Sequence, residues 1–260
     1  MTALRGVDLQ IPRGTYLALV GQNGSGKSTL ARCLSGLLVP TAGEVIVNGR
    51  SSLDPGAILD LRAMVGMVFQ DPENQFVTSS VEDEVAFGAE NLGVPPGEIR
   101  ERVVRSLAMV GLAGAEARDP HMLSAGDKVR LAIAATLSME PDCILLDEAT
   151  ALLDPISRRD LLALVMRLHQ QGRTTIVVTH HMDEVVEADQ VAVMDRGRIV
   201  WQATPSELFA SPEGVQALGL SLPMSAGVAQ GLRRRGLALA EPVVTDDDLV
   251  REVSQWRCTV

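Results

Sequence analysis

The chain reads Gly-Gln-Asn-Gly-Ser-Gly-Lys-Ser over residues 21–28, which is a full match to the pattern G-x-x-x-x-G-K-[ST]. An apolar run of strand type, residues 16–20, comes directly before it, and a helix-like run follows. Glycines let such a backbone curl so that its amide groups point inward, and the following helix adds the positive end of its dipole. This strand–loop–helix order predicts a loop that cradles the phosphates of a nucleotide.

Two side chains of this loop carry the expected chemistry. Lys27 supplies a charge that bridges the outer phosphates, and the Ser28 hydroxyl suits Mg²⁺. The expected ligands are therefore a nucleoside triphosphate and Mg²⁺. The residues expected to bind them here are Gly21, Gln22, Asn23, Gly24, Ser25, Gly26, Lys27, Ser28 and Thr29.

Composition narrows the class of protein. The 260 residues include 23 Lys and Arg against 33 Asp and Glu, and aromatic residues make up only 3%. Both values argue against a nucleic-acid partner, which needs basic patches and stacking platforms. Three widely spaced cysteines, Cys33, Cys143 and Cys258, fit a reducing cytoplasm rather than a disulfide framework or a zinc site. No apolar run approaches the roughly 18 residues that span a bilayer, so any membrane role is expected to be peripheral.

Short apolar runs alternate with helical patterns, which favours an α/β core with parallel strands. The expected strands are residues 16–20, 44–47, 65–69, 143–147, 174–179, 190–194 and 198–201. The expected helices of the core are residues 28–38, 155–170 and 182–188.

Two other parts of the chain, residues 71–141 and the part after about residue 204, show helical spacing without a clear strand. The helical spacing covers residues 81–91, 98–110 and 126–139, then 228–235 and 246–256. We therefore expect an α/β core over residues 1–70 and 143–205. A helical subdomain over residues 71–142 is expected to be inserted into it, and a small helical extension is expected over residues 206–260.

A second chemical feature is the apolar run 143–146, which ends in Asp147 and Glu148. A buried strand that delivers an aspartate at its carboxyl end can hold Mg²⁺ opposite the serine of a phosphate loop. Glu148 would then face the water that attacks the γ-phosphate, as a general base. Alone, two acids at a strand end are as often merely solvated, but the phosphate loop upstream favours the metal site.

Four further pieces follow in order along the chain. They are Gln70 after a strand, Leu-Ser-Ala-Gly-Asp over residues 123–127, Ala-Leu-Leu-Asp over residues 151–154, and Thr-His over residues 179–180. Each is weak alone, but the ordered set resembles the nucleotide-binding subunit of ATP-binding cassette (ABC) transporters. The resemblance covers residues 4 to about 253. It implies a P-loop NTPase (RecA-like) fold, ATP and Mg²⁺ as cofactors, and ATP hydrolysis.

The resemblance also implies roles for particular residues. Gln70, Glu148 and His180 would act on the γ-phosphate, the attacking water or the metal, and Ser28, Gln70 and Asp147 would be the metal ligands. The signature segment, residues 123–127, would cap the γ-phosphate held by an opposite subunit. The residues expected to reach that subunit's nucleotide are Ser124, Ala125, Gly126 and Asp154.

A narrower resemblance is to the ATPases of energy-coupling factor (ECF) transporters, which include the cobalt and nickel uptake ATPases. Its motifs lie at residues 69–75, 81–88, 91–93, 179–184, 233–237 and 245–250. It implies a second ATP-binding subunit, with homodimer and heterodimer both open. It also implies a transmembrane coupling protein and a substrate-binding membrane subunit, on the cytoplasmic face of the cell membrane. Residues 71–88 would form the groove for the membrane partner, and the cargo would be a vitamin or a divalent metal ion.

The signature departs from the family's Leu-Ser-Gly-Gly-Gln at two positions. Ala125 replaces a glycine, and if that position needs a positive φ the methyl group costs about 1 kcal/mol. Asp127 replaces a glutamine and brings negative charge toward a triphosphate. The change either weakens one site of a heterodimer or is simply tolerated.

The start of the chain departs as well. The family has an opening strand and an adenine-stacking aromatic before the segment that matches residues 3–7, and only Met1 and Thr2 precede it. The N-terminal strand is thus expected to be missing. Either the true start lies upstream or adenine binds weakly. Tyr16 is expected to be a core residue, since it lies on the strand that enters the phosphate loop.

Two rival functions remain open. One is a soluble, non-transport ABC ATPase acting on ribosomes or DNA. Members that act on ribosomes usually carry two cassettes in one chain, and this chain has one. Members that act on DNA insert a long coiled coil, for which the 54 positions from Gln70 to Ser124 leave no room. A nucleotide-binding partner subunit with little turnover is the other rival, against which the retained Glu148 and His180 argue.

Overall fold

Two units divide the chain in the computed structural model, which describes residues 2–239 and 243–257. The first unit comprises residues 1–11, 16–27 and 179–260, and the second comprises residues 12–15 and 28–178. Each contains parallel strands with buried apolar side chains, as α/β proteins do. The domain bounds expected from sequence stay a prediction.

The second unit is built on three parallel strands in the order β4, β5, β6. These are β4 (Val65–Val68), β5 (Cys143–Asp147) and β6 (Thr174–Val178). Every residue of β5 is buried, because an Ile-Leu-Leu run suits a strand covered on both faces. Since parallel strands run in one direction, their carboxyl ends lie at one edge, and the residues that follow β4 and β5 meet there.

Six helices and one hairpin accompany these strands. The helices are α1 (Lys27–Leu34), α2 (Ile58–Met64), α3 (Val81–Asn91), α4 (Pro96–Val110), α5 (Ala125–Ser138) and α6 (Pro155–Gln170). The hairpin joins β2 (Ile46–Val47) to β3 (Arg50–Ser51). Its Asn48–Gly49 turn has φ of 49° and 79°, as two-residue hairpins with this dipeptide require. Residues 71–142 thus hold three α-helices, which confirms that a helical subdomain is present, while its bounds stay a prediction.

The first unit holds β1 (Tyr16–Gly21), which runs parallel to β7 (Gln190–Asp195), and β7 runs antiparallel to β8 (Arg198–Ala203). Tyr16 is 1% exposed and its hydroxyl donates to the Glu184 carbonyl at 3.1 Å, which confirms it as a core residue. In the described part of the chain after β8 there are four helices: α7 (Pro205–Phe209), α8 (Pro212–Ala217), α9 (Met224–Arg234) and α10 (Asp246–Arg257).

One predicted core helix is wrong. Residues 182–188 form only a short 3₁₀ turn, Met182–Glu184, because no side chain caps its start and its hydrogen bonds close at three residues. None of the helices in the described part of the chain combines the length and the apolar character needed to cross a bilayer. Cys33 and Cys143 are buried free thiols, while the expectation for Cys258 falls outside the described residues.

Candidate nucleotide-binding site

The phosphate loop owes its shape to glycines at its two ends. Gly21 has a φ of 149°, and a side chain there would clash with the Met194 carbonyl oxygen. Gly26 has a φ of 108°, which L-residues with a side chain rarely adopt. The buried hydroxyl of Ser25 has no hydrogen-bond partner among the described residues. An orphaned donor inside a loop of this shape fits a ligand that offers oxygen acceptors, as a triphosphate does.

Lys27 places a positive charge inside this loop. Lys27 is 4% exposed, and its ammonium donates to the carbonyl oxygens of Gly21 at 2.9 Å and Gln22 at 3.2 Å. A buried cation is costly unless partners surround it, so the loop carbonyls hold this charge in place. The charge is therefore positioned before any anion arrives.

Ser28 and Asp147 are brought together at the carboxyl edge of β5. The Ser28 hydroxyl donates to Asp147 Oδ1 at 3.0 Å, and Asp147 is 5% exposed. Mg²⁺ binds oxygen ligands octahedrally at about 2.0–2.1 Å, so two adjacent ligands of one ion lie about 3 Å apart. The separation and the chemistry of this pair both fit two positions of a Mg²⁺ shell.

Glu148, the next residue, has a strained backbone. Its φ is 51°, in the left-handed region that costs a residue with a side chain about 1 kcal/mol. Its backbone N–H donates to the Val178 carbonyl at 2.9 Å, so the pairing of β5 with β6 continues into this turn. This left-handed conformation turns the chain sharply after Asp147, and the hydrogen bond to Val178 helps to hold it.

The structure places Gln70 at the same edge. Gln70 is exposed and lies two residues past the end of β4, which pairs with β5. Gln70, Asp147 and Glu148 thus follow the carboxyl ends of adjacent strands. His180 follows β6 in sequence and is exposed; its ring lies 4.2 Å from that of His181, centroid to centroid.

The signature segment forms the start of α5. Ser124 caps the helix: its Oγ accepts from the Asp127 backbone N–H at 3.2 Å and donates to Asp127 Oδ2 at 2.8 Å. Ala125 is the first helical residue and is not among the positive-φ residues, so its methyl group causes no backbone strain. The penalty considered from the sequence does not apply. A side chain at Gly126 would approach Ser157 Oγ to 3.2 Å.

Asp154 caps the neighbouring helix α6. Its Oδ1 accepts from the backbone N–H groups of Ile156 at 3.0 Å and Ser157 at 3.1 Å, and its Oδ2 accepts from the Ser157 hydroxyl at 2.6 Å. The Ser157 hydroxyl, followed by these backbone bonds, lowers the pKa of the Asp154 carboxyl. The carboxylate expected to cross a subunit interface is therefore ionised and held by its own helix.

Sequence reasoning missed a cluster that links the segment after Gln70 to α5. Lys128 Nζ lies 2.7 Å from Glu73 Oε2, and His121 Nδ1 lies 3.5 Å from Glu73 Oε1. The hydrogen bond from Lys128, with further contributions from His121, lowers the pKa of the Glu73 carboxyl. Glu73 and Lys128 are 55 positions apart. No local pattern could pair them.

A glycine-rich loop with a buried lysine, followed by a serine that contacts a strand-end aspartate, defines a P-loop nucleoside triphosphatase. The chain belongs to the ABC transporter family, whose model matches residues 4–151. Family membership makes it an ATP-binding protein and an ATPase. The resemblance and the fold class expected from the sequence are confirmed.

Relatives and solved structures agree with this assignment. The chain is 48% identical, over 97% of its length and 88% of the relative, to the energy-coupling factor transporter ATP-binding protein EcfA1 of Symbiobacterium thermophilum. CbiO1 of Clostridium perfringens, part of the ABC transporter complex CbiONQ, superimposes with a TM-score of 0.75 and 38% identity. That match covers 88% of this chain and 92% of CbiO1. The dimeric cassette MJ0796, bound to ADP and Pi after hydrolysis, gives a TM-score of 0.71 and 28% identity, over 78% and 90%.

Proposed function

We propose that this chain hydrolyses ATP with Mg²⁺ as one of two ATP-binding subunits that energise an ECF-type importer. It would act as a peripheral subunit on the cytoplasmic face of the cell membrane. The observation that carries the proposal is the 3.0 Å contact between Ser28 Oγ and Asp147 Oδ1, with Glu148 as the next residue. The names of the relative from Symbiobacterium and of CbiO1 support the transport role.

Each part of the proposed ATP hydrolysis is assigned to particular side chains of this site. The loop amides and the Lys27 ammonium bind the outer phosphates. Ser28, Asp147 and Gln70 would hold Mg²⁺, which would neutralise phosphate charge. Glu148 accepts a proton from the attacking water, and His180 donates a hydrogen bond to the γ-phosphate.

We propose that each ATP-binding site is completed by a second subunit. Water attack needs a closed, preorganised cavity, and a phosphate loop leaves the γ-phosphate facing outward. Ser124 and the amides at the start of α5 would cover it from the opposite subunit, with Asp154 at the interface. ATP then pulls the subunits together and hydrolysis lets them part, so the motion follows the nucleotide state. The dimeric MJ0796 cassette with ADP and Pi supports this arrangement.

The motion would pass to the membrane through residues 71–88, which follow Gln70. We propose that a transmembrane coupling protein binds there and that it holds a separate substrate-binding membrane subunit. In such a complex the membrane subunits would determine which substrate is transported, a vitamin or a divalent metal ion. Whether the second ATPase is another copy or a different chain does not affect the chemistry assigned above.

Purification of the chain with its natural partners tests this function. We expect mass spectrometry to identify integral membrane proteins in the complex, and the complex to release phosphate from ATP. Glu148→Gln keeps the shape but removes the base, so release by this chain's site should fall by about 10²–10⁴. Full turnover by Glu148→Gln would contradict the assignment, and a complex without membrane proteins would favour a soluble ABC ATPase.

A second candidate function is favoured by Asp127. A carboxylate in the signature would oppose the partner's triphosphate, which suits a pair in which the site built on this signature supports assembly with little turnover. The two functions differ in where hydrolysis occurs. If loss of the partner subunit's base leaves phosphate release unchanged and Glu148→Gln abolishes it, the second candidate is correct.

A further inference from the structure

Asp127 engages the signature serine directly. The Ser124 hydroxyl has a single proton, and that proton is donated to Asp127 Oδ2 at 2.8 Å. The same hydroxyl oxygen accepts the backbone N–H of Asp127 at 3.2 Å. Ser124 can therefore donate to a phosphate oxygen only after its bond to the Asp127 carboxylate breaks.

The charges around this bond add to its effect. Asp127 is half-buried, whereas Ser124 and Ala125 are exposed, so the carboxylate lies behind the surface that a partner's nucleotide would approach. The adjacent cation, Lys128, binds Glu73 at 2.7 Å. A second ionised carboxylate, Asp154, caps α6, whose Ser157 lies against Gly126. An approaching triphosphate thus meets two negative groups beside the positive end of α5.

We propose that Asp127 is a positioning residue that raises the ATP concentration needed to close the site built on this signature. It acts by holding the Ser124 proton and by placing a negative charge toward the γ-phosphate. The inference rests on the proposed function, in which Ser124 serves the ATP of the opposite subunit. Asp127 would make the two ATP-binding sites of the paired subunits unequal if the partner carries an uncharged residue at this position.

The size of the effect follows from Coulomb's law. Removing one negative charge close to a phosphate at a protein surface changes binding by roughly one order of magnitude. We therefore expect Asp127→Asn to lower the ATP concentration for half-maximal pairing about tenfold. Asparagine keeps the size of the side chain and its Oδ1 can still accept from Ser124, so this variant retains the cap of α5 and removes the charge alone.

The experiment uses the chain with its natural ATPase mate, with Glu148→Gln in this chain and the partner's corresponding base also replaced by glutamine, so that ATP is retained in both sites. The fraction of paired subunits is measured against ATP concentration by light scattering, with Asp127 and with Asp127→Asn. Asp127→Gln is a second variant, in case the asparagine perturbs folding. Parallel titrations use ADP, and the ATP titration is repeated at 1 M salt.

Glu207→Gln is the matched control. Glu207 occupies the same third position of α7, where the Thr204 hydroxyl donates to its Oε2 at 2.9 Å and its backbone N–H donates to Thr204 Oγ1 at 3.3 Å. The control removes a capping charge of the same kind, outside the candidate site. We expect it to leave the ATP midpoint unchanged.

The inference predicts a specific set of outcomes. Asp127→Asn lowers the ATP midpoint, leaves ADP binding unchanged because ADP lacks the γ-phosphate, and loses most of its advantage at high salt because screening removes the charge effect. An ATP midpoint equal to that of the Asp127 chain, with pairing intact, would overturn the inference alone. No pairing at saturating ATP in any variant would overturn the proposed function as well.

Discussion

At the residue scale, the proposed metal site depends on two oxygen atoms, Ser28 Oγ and Asp147 Oδ1. The sequence predicts that these two atoms lie close together, because a strand-end aspartate and a phosphate-loop serine share a metal in such proteins. The structure gives their separation as 3.0 Å. The left-handed backbone of Glu148 was not predictable. A positive φ at a glutamate depends on the pairing of β5 with β6 around it, which no local pattern encodes.

Removing the charge of Asp147 should weaken the metal site. Asp147→Asn keeps the shape of the side chain but offers Mg²⁺ a neutral ligand, so we expect the Mg²⁺ concentration for half-maximal ATP hydrolysis to rise at least about tenfold. Asp160→Asn is the control, because that carboxylate lies on α6 and pairs with Arg130 at 3.5 Å. Equal Mg²⁺ dependence in both variants would argue against a metal at Asp147.

The buried thiols should be unreactive in the folded chain. Burial, with a smaller effect of Asp142, raises the pKa of Cys143 to about 12, and burial also raises the pKa of Cys33. Since the thiolate is the reactive form, we expect neither to be alkylated at pH 8 within minutes, in a Cys258→Ser background. Mass spectrometry after iodoacetamide treatment measures this. Rapid alkylation before addition of denaturant would show that the core opens.

At the element scale, a buried carboxylate fixes the start of α3. Glu84 is 6% exposed, and its Oε2 accepts from the backbone N–H groups of Val77 and Thr78 at 3.0 Å each and from the Thr78 hydroxyl at 2.9 Å. These bonds hold the segment between Gln70 and α3. The proposed groove for a membrane partner is therefore stiffened from inside.

Loss of Glu84 should be costly. Glu84→Ala leaves two backbone N–H groups without their acceptor, so we expect the free energy of unfolding to fall by about 2–3 kcal/mol in a urea titration. Glu82→Ala, at an exposed position of the same helix, should change it by less than about 0.5 kcal/mol. Equal losses in the two variants would contradict this role of the Glu84 bonds.

The Glu73–Lys128 contact should make stability depend on pH. The folded-state pKa of Glu73 lies below its ordinary value of 4.5, so its ionised form stabilises the folded chain above that pH. This contribution is lost as the pH falls through the folded-state pKa. We expect the Tm of wild type to exceed that of Glu73→Gln at pH 7, and the difference to shrink toward zero as the pH falls through the folded-state pKa. A Tm difference that grows as the pH falls would contradict this role of the Glu73 carboxylate.

The elements differ in how far the sequence predicts them. All seven expected strands form within two residues of their bounds, because apolar runs between polar turns are a strong signal. The Asn48–Gly49 hairpin was missed although its dipeptide is a known turn signal. The expected helix at residues 182–188 failed because a seven-residue segment needs caps and tertiary contacts more than periodicity.

At the scale of the whole molecule, the family and the alternation of elements could be predicted, while the pairing of distant elements could not. The adjacency of β4 and β5 joins residues about 80 positions apart, and nothing local to either strand encodes it. The hydrogen bond from the Ser124 hydroxyl to Asp127 lies between these limits. The sequence departure at Asp127 was visible, but its effect on the Ser124 proton required coordinates.

The central claim is that two incomplete half-sites close around ATP and separate once it is cleaved. The most direct test measures the molar mass of the Glu148→Gln chain mixed with its natural ATPase mate, at saturating Mg²⁺. We predict a pair with ATP and separate subunits with ADP. Subunits that remain separate at saturating ATP, or that pair equally well with ADP, would contradict the account.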